Sequence, residues 1–196
     1  MTILIIKCYI GNIRDTLKHF NFEVEKCVTL LHQNLNITYF RAGRDCYDRY
    51  DTGVVGGVTT GTTLNQNQTL ELDHKLCSSN SRDNVDYLKV VRHEFLHVFG
   101  LMHTQTRWDR NNYVWVDTSN IEDTKEARYQ YEICMDCKTF DAPYECNSIM
   151  HYEANTYAKN PNKDVMYSKV CKINPGNTLT DWDWKLLNKA AKCPGS

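Results

Sequence analysis

The sequence predicts an α+β fold of 196 residues in a single domain of two lobes, about 1–103 and about 104–196. Two observations carry this. Short strand patterns and two long helical patterns share the first lobe. After His103 periodicity fades until a last helix near Thr180. A chain of this length is long enough to bury a core of its own.

The elements follow in order. Residues 2–10 read as a strand, since Ile3, Leu4, Ile5 and Ile6 make an apolar start without the basic flank of a signal peptide. Ile13, Leu17, Phe20, Val24, Cys27 and Leu31 are spaced four, three, four, three, four, which is one buried stripe of a helix. Ile37-Thr38-Tyr39-Phe40 is β-branched and aromatic and reads as a strand. Gly53-Val54-Val55-Gly56-Gly57 reads as a loop with a short strand. Thr69-Leu70-Glu71-Leu72-Asp73 alternates as a half-exposed strand does. Asn80, Ser81, Asp83 and Asn84 offer N-caps for a helix running to about Phe99, whose core face is Leu88, Val91, Phe95 and Val98. The last helix runs from Thr180 or Asp181 to about Cys193, with Leu186 and Leu187 buried.

Composition excludes several classes of function. A net charge of −1 gives no electrostatic case for nucleic acid or an anionic membrane. No run of 18 apolar residues exists, so no membrane-spanning helix is expected. Nine cysteines are many for a cytosolic chain and point to secretion and disulfides. Asn36-Ile37-Thr38 and Asn67-Gln68-Thr69 are glycosylation acceptor patterns, in keeping with that.

The chemistry concentrates in His93-Glu94-Phe95-Leu96-His97-Val98-Phe99-Gly100-Leu101-Met102-His103, which reads H-E-x-x-H-x-x-G-x-x-H. Five fixed residues in such a window arise by chance on the order of once in 10⁵ chains of this size. His93 and His97 are four apart and share a helical face. Gly100 permits a backbone conformation other residues resist, so the helix ends and His103 arrives from beyond it. Three imidazoles leave a fourth position open on one zinc ion, as catalytic sites do. Glu94 stands beside a ligand without being one, placed to take a proton from water. A second motif, Ser148-Ile149-Met150-His151-Tyr152, begins 45 residues after His103 and has the form of a Met-turn. It brings an apolar thioether and the Tyr152 phenol toward the imidazoles.

The zinc motif continues as Thr104-Gln105-Thr106-Arg107-Trp108-Asp109-Arg110-Asn111-Asn112-Tyr113-Val114. With the Met-turn, this closely resembles the catalytic domain of the astacin family of metzincin zinc endopeptidases. The R-x-D-R-x-x-Y-V tail is narrower than the zinc motif itself. The resemblance implies a metzincin-type two-lobed fold. Its N-terminal lobe holds a twisted, mostly parallel sheet and two long helices, and its C-terminal lobe is largely irregular with one terminal helix. It implies one catalytic Zn²⁺ on His93, His97 and His103, at the floor of a cleft between the lobes. Glu94 is then the general base. Tyr152 is a fifth ligand that swings away to stabilise the transition state. A protein or peptide substrate is expected, paired with an exposed edge strand near residues 69–73, together with a propeptide or inhibitor absent from this chain. Neither signal nor prosegment is visible before Met1, so a trimmed start is expected.

The resemblance also pairs Cys27 with Cys193 and Cys46 with Cys77. Cys8 is left over. Cys134, Cys137, Cys146 and Cys171 allow three pairings, and Cys134-x-x-Cys137 alternatively reads as half of a second zinc site or a redox pair. One position departs from the family. Thr104 stands where a Glu normally anchors the mature N-terminus, so that charged link is expected to be absent or weak. Lys159, Lys163 and Lys169 follow the Met-turn, either as a basic wall of the substrate pocket or as a solvated loop. His19, His32, His74 and His151 read as ordinary side chains. Two other functions compete: a catalytically inactive zinc-binding module, and a disulfide-rich structural domain.

Overall fold

In a computed structural model the backbone is described over residues 37–43, 57–60, 68–73, 85–98 and 100–190. Side chains are described at 89–90, 92–94, 96–97 and from 100 to 190. The expected strand 2–10, the helix over Ile13–Leu31, the caps at residues 80–84, and Cys8, Cys27, Cys46, Cys77 and Cys193 lie outside these residues. The chain divides into two compact units, Met102–Leu186 and the remainder.

In the first unit, three strands form one sheet: β1 (Ile37–Gly43), β2 (Gly57–Thr60) and β3 (Gln68–Asp73). Their order is β1-β3-β2. β1 runs parallel to β3, with Phe40 opposite Leu70, and β2 runs antiparallel, with Thr59 opposite Leu70. One pairing is therefore parallel and one antiparallel. The expectation of an exposed edge near residues 69–73 is corrected, because β3 is hydrogen-bonded on both sides. Local alternation reports which face is buried and says nothing of strand order. Helix α1 (Val85–Val98) packs against β2 and β3. On it Leu96 is fully buried, and Arg92 and Glu94 are buried too. The expected core face of Leu88, Val91, Phe95 and Val98 falls on side chains outside those described.

The second unit is built from short pieces. β4 (Val114–Val116) pairs antiparallel with β5 (Met166–Ser168), with Trp115 opposite Tyr167. Val114 and Met166 point inward while Trp115 and Tyr167 stay exposed, as period-two alternation requires. Helix α2 (Lys125–Tyr129) is a single turn capped by Thr124, whose hydroxyl accepts from the Ala127 amide at 3.1 Å. Ile121, Ala127, Tyr131, Val165 and Met166 form its core, with Val116, Tyr152 and Tyr157 packed against it.

Buried Asn120 secures the loop after Tyr152. Its amide donates to the Lys163 carbonyl at 2.9 Å and its carbonyl oxygen accepts from the Asn160 amide at 3.2 Å. The Lys163 ammonium lies 2.8 Å from the Asp117 carboxylate. With the Ser119 bonds, that holds the Asp117 pKa down at about 2. Helix α3 (Asp181–Ala190) closes the described chain. Leu187 is buried as expected, whereas Leu186 is only half-buried.

Candidate metal centre and active site

The two motifs acquire their geometry from ordinary helix and turn chemistry. α1 ends in a Schellman arrangement. The Gly100 amide donates to the His97 carbonyl at 2.8 Å, and the Leu101 amide reaches back to Leu96 at 3.0 Å. Gly100 holds φ at 92°, a left-handed value that a side chain would strain. The chain turns at once, and His103 follows three residues on.

One ring nitrogen from each of His93, His97 and His103 then lies within 4.8 Å of the others, a group that could hold a metal ion. The Nε2 atoms of His93 and His97 stand 3.2 Å apart. Two ligands held at roughly 2.0–2.1 Å on a tetrahedral ion are about 3.3 Å apart, so this pair fits zinc. His97 Nδ1 donates to the Leu101 carbonyl at 2.7 Å, which fixes the tautomer and leaves Nε2 for the metal. Burial lowers the His97 pKa below its usual value, partly offset by that carbonyl, which favours the neutral ring that a metal ligand needs. Glu94, between these His in sequence, is buried at 6 % exposure.

The Met-turn is pinned from α3. The Ser148 hydroxyl donates to Asp183 Oδ1 at 2.6 Å, and the Ile149 amide donates to Oδ2 at 3.2 Å. The same Oδ2 accepts the Thr180 amide at 3.0 Å, while the Asp183 amide donates to the Thr180 hydroxyl. Thr180-x-x-Asp183 is thus a capping box whose carboxylate also holds the turn. The Met150 amide donates to Ser148 Oγ at 3.1 Å, and the Met150 carbonyl accepts the Thr104 amide at 3.0 Å. Asp183 is 1 % exposed. Asp183→Asn keeps the volume but turns one acceptor into a donor facing donors. We expect a loss of about 1–3 kcal/mol, read as a lower urea midpoint at unchanged slope.

The segment after His103 is equally tied. Arg107 holds Asp109 through two bonds of 2.9 and 2.8 Å and donates to the Pro143 carbonyl at 2.8 Å. Buried Arg110 donates to the Gln105 carbonyl at 2.9 Å. Tyr113 stacks on Tyr144 at 4.8 Å. The R-x-D-R-x-x-Y pattern therefore braces its own turn and ties it to Pro143 and Tyr144.

Tyr152 is fixed at both ends. Its amide donates to Gln105 Oε1 at 3.2 Å, and its hydroxyl donates to Gln130 Oε1 at 2.9 Å. Its ring lies 4.5 Å from that of His103. The neighbouring His151 is 2 % exposed, with Nδ1 on the Tyr152 carbonyl at 2.7 Å and Nε2 on the Tyr144 hydroxyl at 2.9 Å. Burial lowers the His151 pKa and raises that of Tyr144. Both ring nitrogens of His151 are engaged by protein groups, in keeping with an ordinary packed side chain.

Cys134 bonds Cys137, and Cys146 bonds Cys171, with Cα–Cα distances of 5.4 and 6.1 Å. The reading of Cys134-x-x-Cys137 as half of a second zinc site gives way to a bridge, which is also the oxidised form of a redox pair. Lys159 and Lys163 pair with Asp123 and Asp117 at 2.8 Å, and the Lys169 ammonium donates to the Asn111 carbonyl at 2.7 Å. These contacts favour the loop reading of the three lysines. Asp183, Gln105 and Gln130 escaped the sequence reading. Only the Thr180-x-x-Asp183 spacing carried a local signal.

Comparison with known proteins gives three findings. A family model described as Astacin, a peptidase family, matches residues 22–191. Among curated relatives, zinc metalloproteinase nas-5 of Caenorhabditis elegans is 39% identical over 83 residues, 42% of this chain and 23% of that protein. Meprin A subunit beta of Mus musculus is 28% identical over 117 residues, 58% of this chain and 16% of that protein. The chain thus spans less than a quarter of the length of either. Among solved structures, High choriolytic enzyme 1, a hatching enzyme zinc-protease from Oryzias latipes, matches with a TM-score of 0.54. The match has 22% identity over 87% of this chain and 82% of that one, a likeness of fold.

Proposed function

The chain belongs to the astacin family of peptidases, and from that premise we propose that it is a secreted zinc endopeptidase. The observation that carries the proposal is the convergence of the His93, His97 and His103 nitrogens, with a 3.2 Å Nε2–Nε2 spacing that suits one tetrahedral ion. His93, His97 and His103 would hold the zinc ion, which would supply Lewis acidity, lowering the pKa of the attacking water toward about 7 and polarising the scissile carbonyl. Glu94 takes the proton of the attacking water and later delivers it to the leaving amine. The Tyr152 phenol donates a hydrogen bond to the oxyanion that develops on the carbonyl. A domain of about 1–196 with two lobes would hold these parts, and the substrate is a protein or peptide. Secretion is supported by the nine cysteines and by the two bridges among the described residues.

The test is metal content against pH. The imidazoles must be neutral to bind, so protons compete with zinc. The lowered His97 pKa means that this ring resists protonation below its ordinary range near 6.5. Zinc is therefore expected at one ion per chain above about pH 7, and it leaves as acid protonates the three imidazoles. Elemental analysis after gel filtration at each pH reads this directly. Less than half an ion per chain at pH 7.5 with zinc supplied, or the same content in His103→Ala, contradicts the ligand assignment.

A further inference from the structure

We infer that Gln130 is a latch for the Tyr152 phenol, a positioning residue that sets how readily the phenol leaves its resting place. The inference rests on the reading of Tyr152 as donor to the oxyanion.

The Tyr152 hydroxyl has one proton, and here it is given to Gln130 Oε1 at 2.9 Å. The same proton cannot also be given to a substrate oxygen. To act, the phenol must break this bond as well as leave the zinc ion that its oxygen would ligate, so the strength of the bond enters the barrier. The groups around the bond are firmly held. Gln130 is the C-terminal cap of α2, with φ −64° and ψ −14°, and its amide donates to the Glu126 carbonyl at 3.2 Å. Ala127, three residues earlier, is fully buried. Tyr131, one residue later, is 4 % exposed, and its hydroxyl donates to the Thr156 carbonyl. At the other end, Gln105 Oε1 holds the Tyr152 amide, so the backbone stays while the ring can turn. The rings of Tyr131 and Tyr157 lie 6.2 and 6.0 Å from that of Tyr152, edge-on and tilted. Contacts at that spacing guide a ring without gripping it. The Gln130 side chain grips the phenol at its tip.

A neutral amide suits a latch of this kind. A hydrogen bond between neutral groups is worth little net in a half-solvated place, so the phenol is held but releasable. A carboxylate at the same point would hold roughly twice as strongly.

The experiment compares Gln130→Glu and Gln130→Leu in the wild-type chain and in Tyr152→Phe, with kcat on a quenched peptide as the readout. Gln130→Glu is expected to lower kcat about tenfold, because the phenol is held more tightly. Gln130→Leu is expected to leave kcat unchanged or raise it by up to about fivefold, because the latch is gone. Both effects should shrink below about 1.5-fold in Tyr152→Phe, where there is no hydroxyl to hold. A second readout needs no turnover. In metal-free protein carrying ¹³C-labelled tyrosine, the Tyr152 Cζ resonance, assigned by its loss in Tyr152→Phe, should shift in both Gln130 variants.

A fall in kcat for Gln130→Leu equal to that for Gln130→Glu would overturn the latch, as would effects that persist in Tyr152→Phe or an unmoved Cζ resonance. Failure of the underlying reading looks different. If Tyr152→Phe alone leaves kcat unchanged, both ideas fall. If it slows turnover while the Gln130 variants are silent, only the latch falls.

Discussion

Glu94→Ala is expected to lower kcat by about 10²–10⁴-fold while the protein still binds one zinc ion. Glu94 shares α1 with two of the proposed ligands, and it is buried beside them in sequence at 6 % exposure. The three imidazoles already supply the ligand set that a catalytic zinc takes from protein. A carboxylate next to such a set is worth most as a base. General base assistance contributes about 10²–10⁴-fold, so removing it should cost that much and little in metal affinity. Turnover within tenfold of wild type, measured at equal zinc content, would refute the assignment.

Tyr152→Phe is expected to lower kcat more than it raises KM, by about 2–4 kcal/mol of barrier. The phenylalanine ring keeps the contacts with His103, Tyr131 and Tyr157, so fold and metal should persist. Only the hydroxyl is lost, and with it the bond to Gln130. That loss removes a ground-state interaction as well as the proposed transition-state donor. An unchanged kcat would therefore remove the phenol from the mechanism. A rise in KM alone would make Tyr152 a substrate contact that does not change between ground and transition states.

Local patterns were legible where one local rule decides the outcome. The strand expected at Ile37–Phe40 is β1, three residues longer, and the strand expected at Thr69–Asp73 is β3. α1 ends as Gly100 says it must, because a left-handed φ has few alternatives to glycine. Strand order was not legible, since alternation in β3 is the same at the centre of a sheet as at its edge. The pieces after His103 were not legible either. Asn120, Asp117 and Thr124 hold them by side-chain bonds to particular backbone groups, and such bonds have no period in sequence. The same split runs through the site. The eleven-residue motif is one continuous stretch, and its convergence follows from helix spacing plus one glycine turn. Asp183 holds a turn 35 residues away in sequence, and Gln130 meets Tyr152 across 22. Partners so separated become visible only when the chain is folded. The pairing of Cys146 with Cys171, 25 residues apart, belongs to the same class.

The measurement that tests the central claim most directly is digestion of denatured casein, followed by the appearance of new amino termini. The full chain with one equivalent of zinc is compared with and without o-phenanthroline, and with Glu94→Ala. The account predicts cleavage by the zinc-loaded chain, arrest by the chelator, recovery when zinc is restored, and almost none from Glu94→Ala. Cleavage that survives complete removal of zinc would contradict it, and so would a folded, zinc-loaded chain that cuts nothing.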